Sequence, residues 1–300
     1  MSLAPLLILP ALTLIACAAS CSSTPRAGFA ARDRDLWHAD RLQRLGAEDG
    51  WLTLVGLDFL EEGTFTLGSS PKCALVYRGS SAPLVGAFTV EGDRVTFRAE
   101  AGASVTADGA PIHEFVLIAD DQGPPTVLRT GTLAITLVRR NGELALRVKD
   151  NASPTRTRFD GIELYPFDPS LVAEARVEPA PEGATVGITN VTGFVEMQPL
   201  AATLRFTLGG EELTLVATSG ANGRLFVVFG DTTNGRESYG GGRFLDIPAP
   251  VGGLTLIDFN RATNPPCSFT AFATCPTPPE ANRLPVAVRG GERVPSPHEP

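Results

Sequence analysis

The first 25 residues hold no Asp, Glu, Lys or Arg, and the whole chain of 300 has only three His, three Tyr, two Trp and two Met. His38, His113 and His298 are a poor supply for a zinc site or for a Ser/His catalytic pair. The few Trp and Tyr weaken a sugar-stacking platform, although 16 Phe supply ample core. Basic residues are outnumbered, 25 Lys and Arg against 33 Asp and Glu, for a formal charge of -8. That balance speaks against a surface that tracks nucleic-acid phosphates. The chain has no G-x-S-x-G elbow, no H-E-x-x-H pair, no Walker loop and no C-x-x-C. No cofactor and no metal are therefore expected. What is abundant is punctuation: 31 Gly and 25 Pro exclude a mainly helical chain. With 43% hydrophobic and 19% charged residues the rest can still bury a sizeable core.

Residues 1–16 read as a signal peptide. Leu3 to Ala16 is apolar but broken by Pro5, Pro10 and Thr13, too short to cross a ~30 Å hydrocarbon core as a helix. Leu14-Ile15-Ala16-Cys17 resembles the lipobox of bacterial lipoproteins, with Ala18-Ala19-Ser20-Cys21 as an alternative. The resemblance implies cleavage before the Cys, lipidation of its thiol and residence at a membrane surface without a spanning helix. Residues 17–28 would then be a tether and 295–300 a disordered tail. In an exported chain Cys267 and Cys275, eight positions apart, read either as a disulfide or as two buried thiols. Cys73 reads as a small core residue.

The fold expected is all-β: two β-rich modules preceded by one N-terminal helix. The helix, placed within 29–49, has Leu36, Ala39, Leu42 and Leu45 at steps of three, so it should lie on the module that follows. From Trp51 the apolar period drops to two, and nine short strands separated by turn residues make 50–150 a β-sandwich. Glu91-Gly92-Asp93 and Arg140-Asn141-Gly142-Glu143 are hairpin turns. Phe65-Thr66-Leu67-Gly68-Ser69-Ser70-Pro71-Lys72-Cys73-Ala74-Leu75-Val76 resembles the opening of forkhead-associated sandwiches, with Ala107-Asp108-Gly109-Ala110-Pro111-Ile112 where such modules carry a turn. The resemblance extends to the fold alone, because Ser69 stands where a phosphothreonine reader needs Arg. Residues 151–294 form the second module, with strands at 173–177, 185–189, 194–198, 202–208, 212–216, 225–229, 241–247 and 254–259.

Polar residues concentrate in the last third. Asp258 and Asn260 alternate with Ile257 and Phe259, which on a strand puts both polar groups on one face. Arg243 follows Gly240-Gly241-Gly242, and its fork suits a carboxylate or phosphate. With Tyr239, Asn264 and Asn282 these residues form the candidate ligand site. The same stretches resemble a bacterial family catalogued as domain of unknown function 1684, supported upstream by Trp51-Leu52-Thr53-Leu54-Val55-Gly56-Leu57, Arg147-Val148-Lys149-Asp150 and Phe159-Asp160-Gly161-Ile162. The resemblance runs from about Trp51 to Glu292 and implies a recurring two-part β architecture but no activity. The functional expectation is a cell-envelope lipoprotein that binds a small polar ligand or an envelope protein, with no nucleic acid and no membrane contact beyond its anchor. Two alternatives stand beside it, an envelope hydrolase using Asp258, Cys267 and Arg243, and a purely structural module.

Overall fold

The computed structural model describes residues 31–295. The expected signal peptide, the lipidation candidates Cys17 and Cys21, the tether, and residues 296–300 with His298 lie outside them. Among the described residues no helix is long and apolar enough to cross a membrane.

The fold is all-β with one N-terminal helix, α1 (Ala31–Leu45). Eleven strands follow in the first module. They are β1 (Leu54–Phe59), β2 (Gly63–Gly68), β3 (Leu75–Val76), β4 (Gly86–Glu91), β5 (Arg94–Ala99), β6 (Thr106–Ala107), β7 (Ala110–Pro111), β8 (Glu114–Val116), β9 (Val127–Thr130), β10 (Leu133–Arg140) and β11 (Glu143–Asp150). They make two sheets, ordered β1-β11-β10-β9-β6-β7 and β3-β2-β4-β5-β8. Alternation drives this arrangement: in β4 and β5 the inward Phe88, Val90, Val95 and Phe97 are all buried. The Phe88 and Phe97 rings sit 4.8 Å apart between the sheets. The β10–β11 hairpin turns on Asn141 and Gly142, both at positive φ (54° and 86°), as Asn-Gly requires.

The second module is one sheet built from β12 (Val172–Pro179), β13 (Thr185–Thr189), β14 (Val195–Leu208), β15 (Glu211–Ser219), β16 (Leu225–Phe229), β17 (Arg243–Ile247) and β18 (Leu254–Asp258). Its order is β17-β16-β15-β14-β12-β18, with β13 paired to the first half of β14. The sheet curls until its edge strands β17 and β18 meet, around a core that includes Leu204, Leu215, Val227, Leu245, Ile257 and Phe259. The expected strands at 194–198 and 202–208 are one strand of 14 residues. Pro199 does not end it, because β14 changes partner there: Pro199 stands opposite Thr185 of β13, and an irregularity at Leu200–Ala202 begins the pairing with β15.

After β18 the chain is irregular and threads between the modules. Thr270 Oγ1 donates to Leu54 O of β1 at 3.1 Å, Val191 N to Cys275 O at 2.9 Å, and Tyr165 N to Gly291 O at 2.9 Å. Helix α1 refines one expectation. Its Leu42 and Leu45 pack with Leu52 of the first module and with Phe159, Ile162 and Phe269, it also meets the turn at Phe259–Arg261, and Leu36 is 63% exposed. The covered face holds Arg34, Trp37, His38, Arg41, Leu42 and Leu45. Two arginines turn inward because acceptors await them: Arg34 Nη1 donates to Tyr165 O at 3.1 Å, and Arg41 Nε to Glu292 Oε1 at 3.0 Å.

Candidate functional site

Arg243 begins β17 and is completely buried. Its Nη2 donates to Asp231 Oδ2 and to Val288 O, each at 2.7 Å, its Nη1 donates to Gly290 O at 2.5 Å, and its guanidinium lies 5.2 Å from the Phe229 ring centroid. Asp231, whose side chain is also fully buried, accepts from Thr233 N at 2.8 Å and Val288 N at 3.2 Å. Arg243 and Asp231 thus pin the segment 288–292 onto the sheet. Asp231 is more than a turn residue. Gly242, directly before Arg243, serves the same end: a Cβ there would stand 2.4 Å from Pro278 and 2.7 Å from Phe229 O, so the close approach is to the protein's own coil.

Asp258 and Asn260 do not share a strand face. β18 ends at Asp258, which caps a 3-10 turn over Phe259–Arg261 by accepting from Asn260 N at 3.0 Å. Asn260 also donates Nδ2 to Asp258 Oδ1 at 3.0 Å and clamps Asp168 through its N–H and C=O, both at 2.9 Å. Burial pushes the Asp258 carboxyl above the ordinary carboxylate value, against the Asn260 hydrogen bonds and Arg261, which lies 3.3 Å away. Asn264 donates Nδ2 to Arg293 O at 2.7 Å, and its N–H bonds Glu292 Oε2 at 2.5 Å. Asn282 bridges strands that have parted: it accepts from Val216 N at 2.7 Å and donates to Val216 O at 2.9 Å and Val228 O at 2.8 Å. Arg243, Asn260, Asn264 and Asn282 are therefore enclosed braces, and the single polar pocket expected around them is replaced by backbone partners. The trio of the hydrolase alternative has three different sets of immediate partners: Asp258 bonds Asn260, Arg243 bonds Asp231 and the backbone of 288–290, and Cys267 bonds Tyr239 and Cys275. Asp258 does line one crevice with Asp246, but its ~30 Å³ holds about one water.

Tyr239 and the two cysteines form a different group. Tyr239 Oη donates to Cys267 O at 3.3 Å and lies 3.5 Å from Cys267 Sγ. Cys267 N donates to Cys275 Sγ at 3.1 Å, and both sulfurs are free thiols. The hydrogen bond from Cys275, opposed by burial and aided by Tyr239, brings the Cys267 thiol down to about 7. Donation to Cys267 and burial push Cys275 far up, and burial with the neighbouring thiols raises Tyr239.

A further opening lies between the modules, a cleft of about 520 Å³. The β10–β11 hairpin supplies Arg139, Arg140 and Asn141 with Asp121 beside them, and the β13–β14 hairpin supplies Ile188, Asn190, Phe194, Glu196 and Gln198. Asn190 Nδ2 donates to Asn141 Oδ1 at 3.1 Å, tying the walls together. Arg139 is held by Asp121 (2.7 Å) and Asp93 (2.9 Å), and Arg140 by Asp120 (2.7 Å). Thr274 and Pro276, on either side of Cys275, close one end. Sequence reasoning missed this cleft because its walls are more than forty positions apart along the chain and neither carries a motif of its own.

The model of a protein family described as "Protein of unknown function (DUF1684)" matches residues 157–293. An uncharacterised protein of Haloarcula marismortui, solved by NMR in solution, is 33% identical, over 46% of this chain and 78% of that one, with a TM-score of 0.38. The chain belongs to the DUF1684 family. The matched DUF1684 segment contains the Arg243–Asp231 pair, the asparagine braces and both thiols, whereas the upstream stretch Trp51–Leu57 precedes it. A forkhead-associated domain from a study of phosphothreonine-dependent interactions is 16% identical over 32% of this chain and 96% of that one, with a TM-score of 0.23. The FhaA forkhead-associated domain, solved in complex with the intracellular domain of another protein, is 14% identical over 31% and 97%, with a TM-score of 0.23. No curated protein matches the chain.

Proposed function

We propose that this DUF1684 protein is an exported lipoprotein of the cell envelope that binds a small polar ligand in the cleft between its two modules. One observation carries the reading: about 520 Å³ of open space is walled by amides, guanidinium groups and carboxylates over an apolar floor of Ile188 and Phe194. A few placed polar groups on an apolar surface are what a small-molecule site needs. Cys17 provides the anchor, with Cys21 as the alternative. Asn141 and Asn190 hold the walls at a fixed distance, so the site is formed before the ligand arrives. A second reading, a structural module, is favoured by the closed bonding of Arg243, Asn260 and Asn282.

A thermal-shift screen of the full-length protein against sugars, muropeptides, nucleotides, carboxylates and divalent cations separates the two. A ligand bound only by the folded state contributes ~2.7 kcal/mol at a hundredfold excess over its Kd and raises the unfolding midpoint. We expect a hit that is lost in the double variant Phe194→Ala, Gln198→Ala. A hit that survives in that variant places binding elsewhere, and silence across the panel favours the structural reading.

A further inference from the structure

Cys267 and Cys275 lie at the seam between the modules, packed with Leu54 of β1, Phe244 of β17 and Ala273. The two sulfurs are unequal. Cys275 is 5% exposed, while Cys267 is half-buried. Cys267 Sγ has a phenol donor 3.5 Å away in Tyr239, and its own backbone N–H reaches Cys275 Sγ at 3.1 Å, which fixes the second sulfur beside the first. The groups acting on this pair are Tyr239 from the turn before β17, each thiol on the other, and Arg147 from β11 near Cys275. Those that bear on Cys267 are hydrogen-bond donors, which favour the thiolate, and its thiol stands at about 7.

We propose that Cys267 and Cys275 form a peroxide-reactive dithiol, with Cys267 the attacking sulfur and Cys275 the resolving one. The Cys267 thiolate attacks the outer oxygen of a hydroperoxide, the O–O bond breaks, and the alkoxide (hydroxide, for hydrogen peroxide) takes a proton from water and leaves. Cys267 becomes a sulfenic acid and the peroxide is reduced. Cys275 then attacks the sulfenic sulfur, the S–S bond forms, and the hydroxyl departs as water with the Cys275 proton. Two thiols and one hydroperoxide give one disulfide, one alcohol and one water. A small oxidant reaches Cys267 and leaves Cys275, so the order of attack follows from exposure. Tyr239 is a positioning residue whose hydroxyl holds the thiolate in place.

Ordinary free thiols also oxidise slowly, so the rate is the quantity that decides. At pH 7 a thiol at about 7 is about half thiolate, against about 3% for an ordinary one near 8.5. Lower basicity weakens the nucleophile, so of that ~15-fold gain about threefold survives. The test treats the reduced full-length protein with a roughly tenfold excess of hydrogen peroxide near neutral pH, then alkylates, digests and weighs the peptides. We expect the peptides of Cys267 and Cys275 to be joined, the joining to run about threefold faster than in the urea-unfolded chain, and Cys73→Ser to change neither result. Cys275→Ser should stop at a sulfenic acid on Cys267 that dimedone labels, and Tyr239→Phe should move the pH midpoint of Cys267 alkylation upward. The proposal is overturned if both thiols of the wild type remain alkylatable after treatment, or if folded and unfolded chains react at the same rate. Both of these readings need only the wild type, so a variant that fails to fold leaves the answer intact.

Discussion

Arg243 shows how a side chain chosen for one chemistry performs another. Three Gly before an Arg describe a backbone that something approaches closely, and the something is the coil at Pro278 and 288–292 rather than a ligand. Removing the cation leaves the fully buried Asp231 carboxyl without its ion-pair partner, so Arg243→Met should lower stability by ~3–5 kcal/mol in urea unfolding. The double variant Arg243→Met, Asp231→Asn should recover part of that loss, and a single-variant loss below ~1 kcal/mol would mean that water reaches the pair. Asp258 makes stability depend on pH. Its folded carboxyl titrates above the ordinary value of 3.8, so the stability it contributes is present in acid and lost as pH rises through the folded value. The stability of the wild type relative to Asp258→Asn should therefore fall from pH 3.8 upward. A flat difference across that range would exclude burial as the dominant influence on this group. The identity of these polar residues as a set was legible in the sequence. Their partners were not, because Val288, Asp168 and Val216 offer backbone atoms, which every residue has.

At the scale of elements, period-two alternation and Asn-Gly turns carried strands β4, β5, β10, β11 and β16 from sequence to structure within a residue or two. Alternation works in β4 and β5 because each has one buried face, whereas β11 and β16 are apolar runs buried on both faces and bounded by turn residues. Helix α1 was found at its correct place but with its face misjudged. The step-of-three leucines marked an apolar stripe, whereas the docked face takes Arg34 and Arg41 inward to meet a carbonyl and the buried Glu292. Glu292 is fully enclosed, so Arg41→Ala should cost about 3 kcal/mol, the lower end for a broken buried pair. Amide exchange should locate the damage: 288–293 should exchange faster while β14 and β15 keep their protection. Uniform loss of protection would instead show that the helix supports the entire barrel-like sheet. Pro199 misled for a similar reason, since a missing donor breaks a strand only where a neighbour expects a bond, and β14 exchanges neighbours at that point.

For the whole molecule, the coil after β18 makes the modules interdependent. It touches β1 through Thr270 and the β13–β14 hairpin through Cys275, and Ser153 of the linker donates to Leu52 O at 2.7 Å. Calorimetry should accordingly show a single transition with equal calorimetric and van't Hoff enthalpies, and two resolved transitions would show that the seam carries little energy. The proposed lipid anchor belongs to this scale too. Labelled palmitate should enter the full-length protein in cells and be lost in Cys17→Ser but kept in Cys21→Ser; the reverse pattern would move the anchor to the second site.

Composition and local pattern determined, unaided, an all-β chain with one leading helix, most of its strands, its hairpin turns and the polar residues of its last third. Each of these depends on neighbours within a few positions, through φ/ψ preference and alternation. Only the tertiary structure decided that Arg243 meets Asp231, that Arg41 meets Glu292, that two thiols eight apart lie in contact at a module seam, and that two hairpins enclose a cleft. Those outcomes depend on how separately formed sheets pack and on which buried charges then find partners, and no local periodicity encodes either.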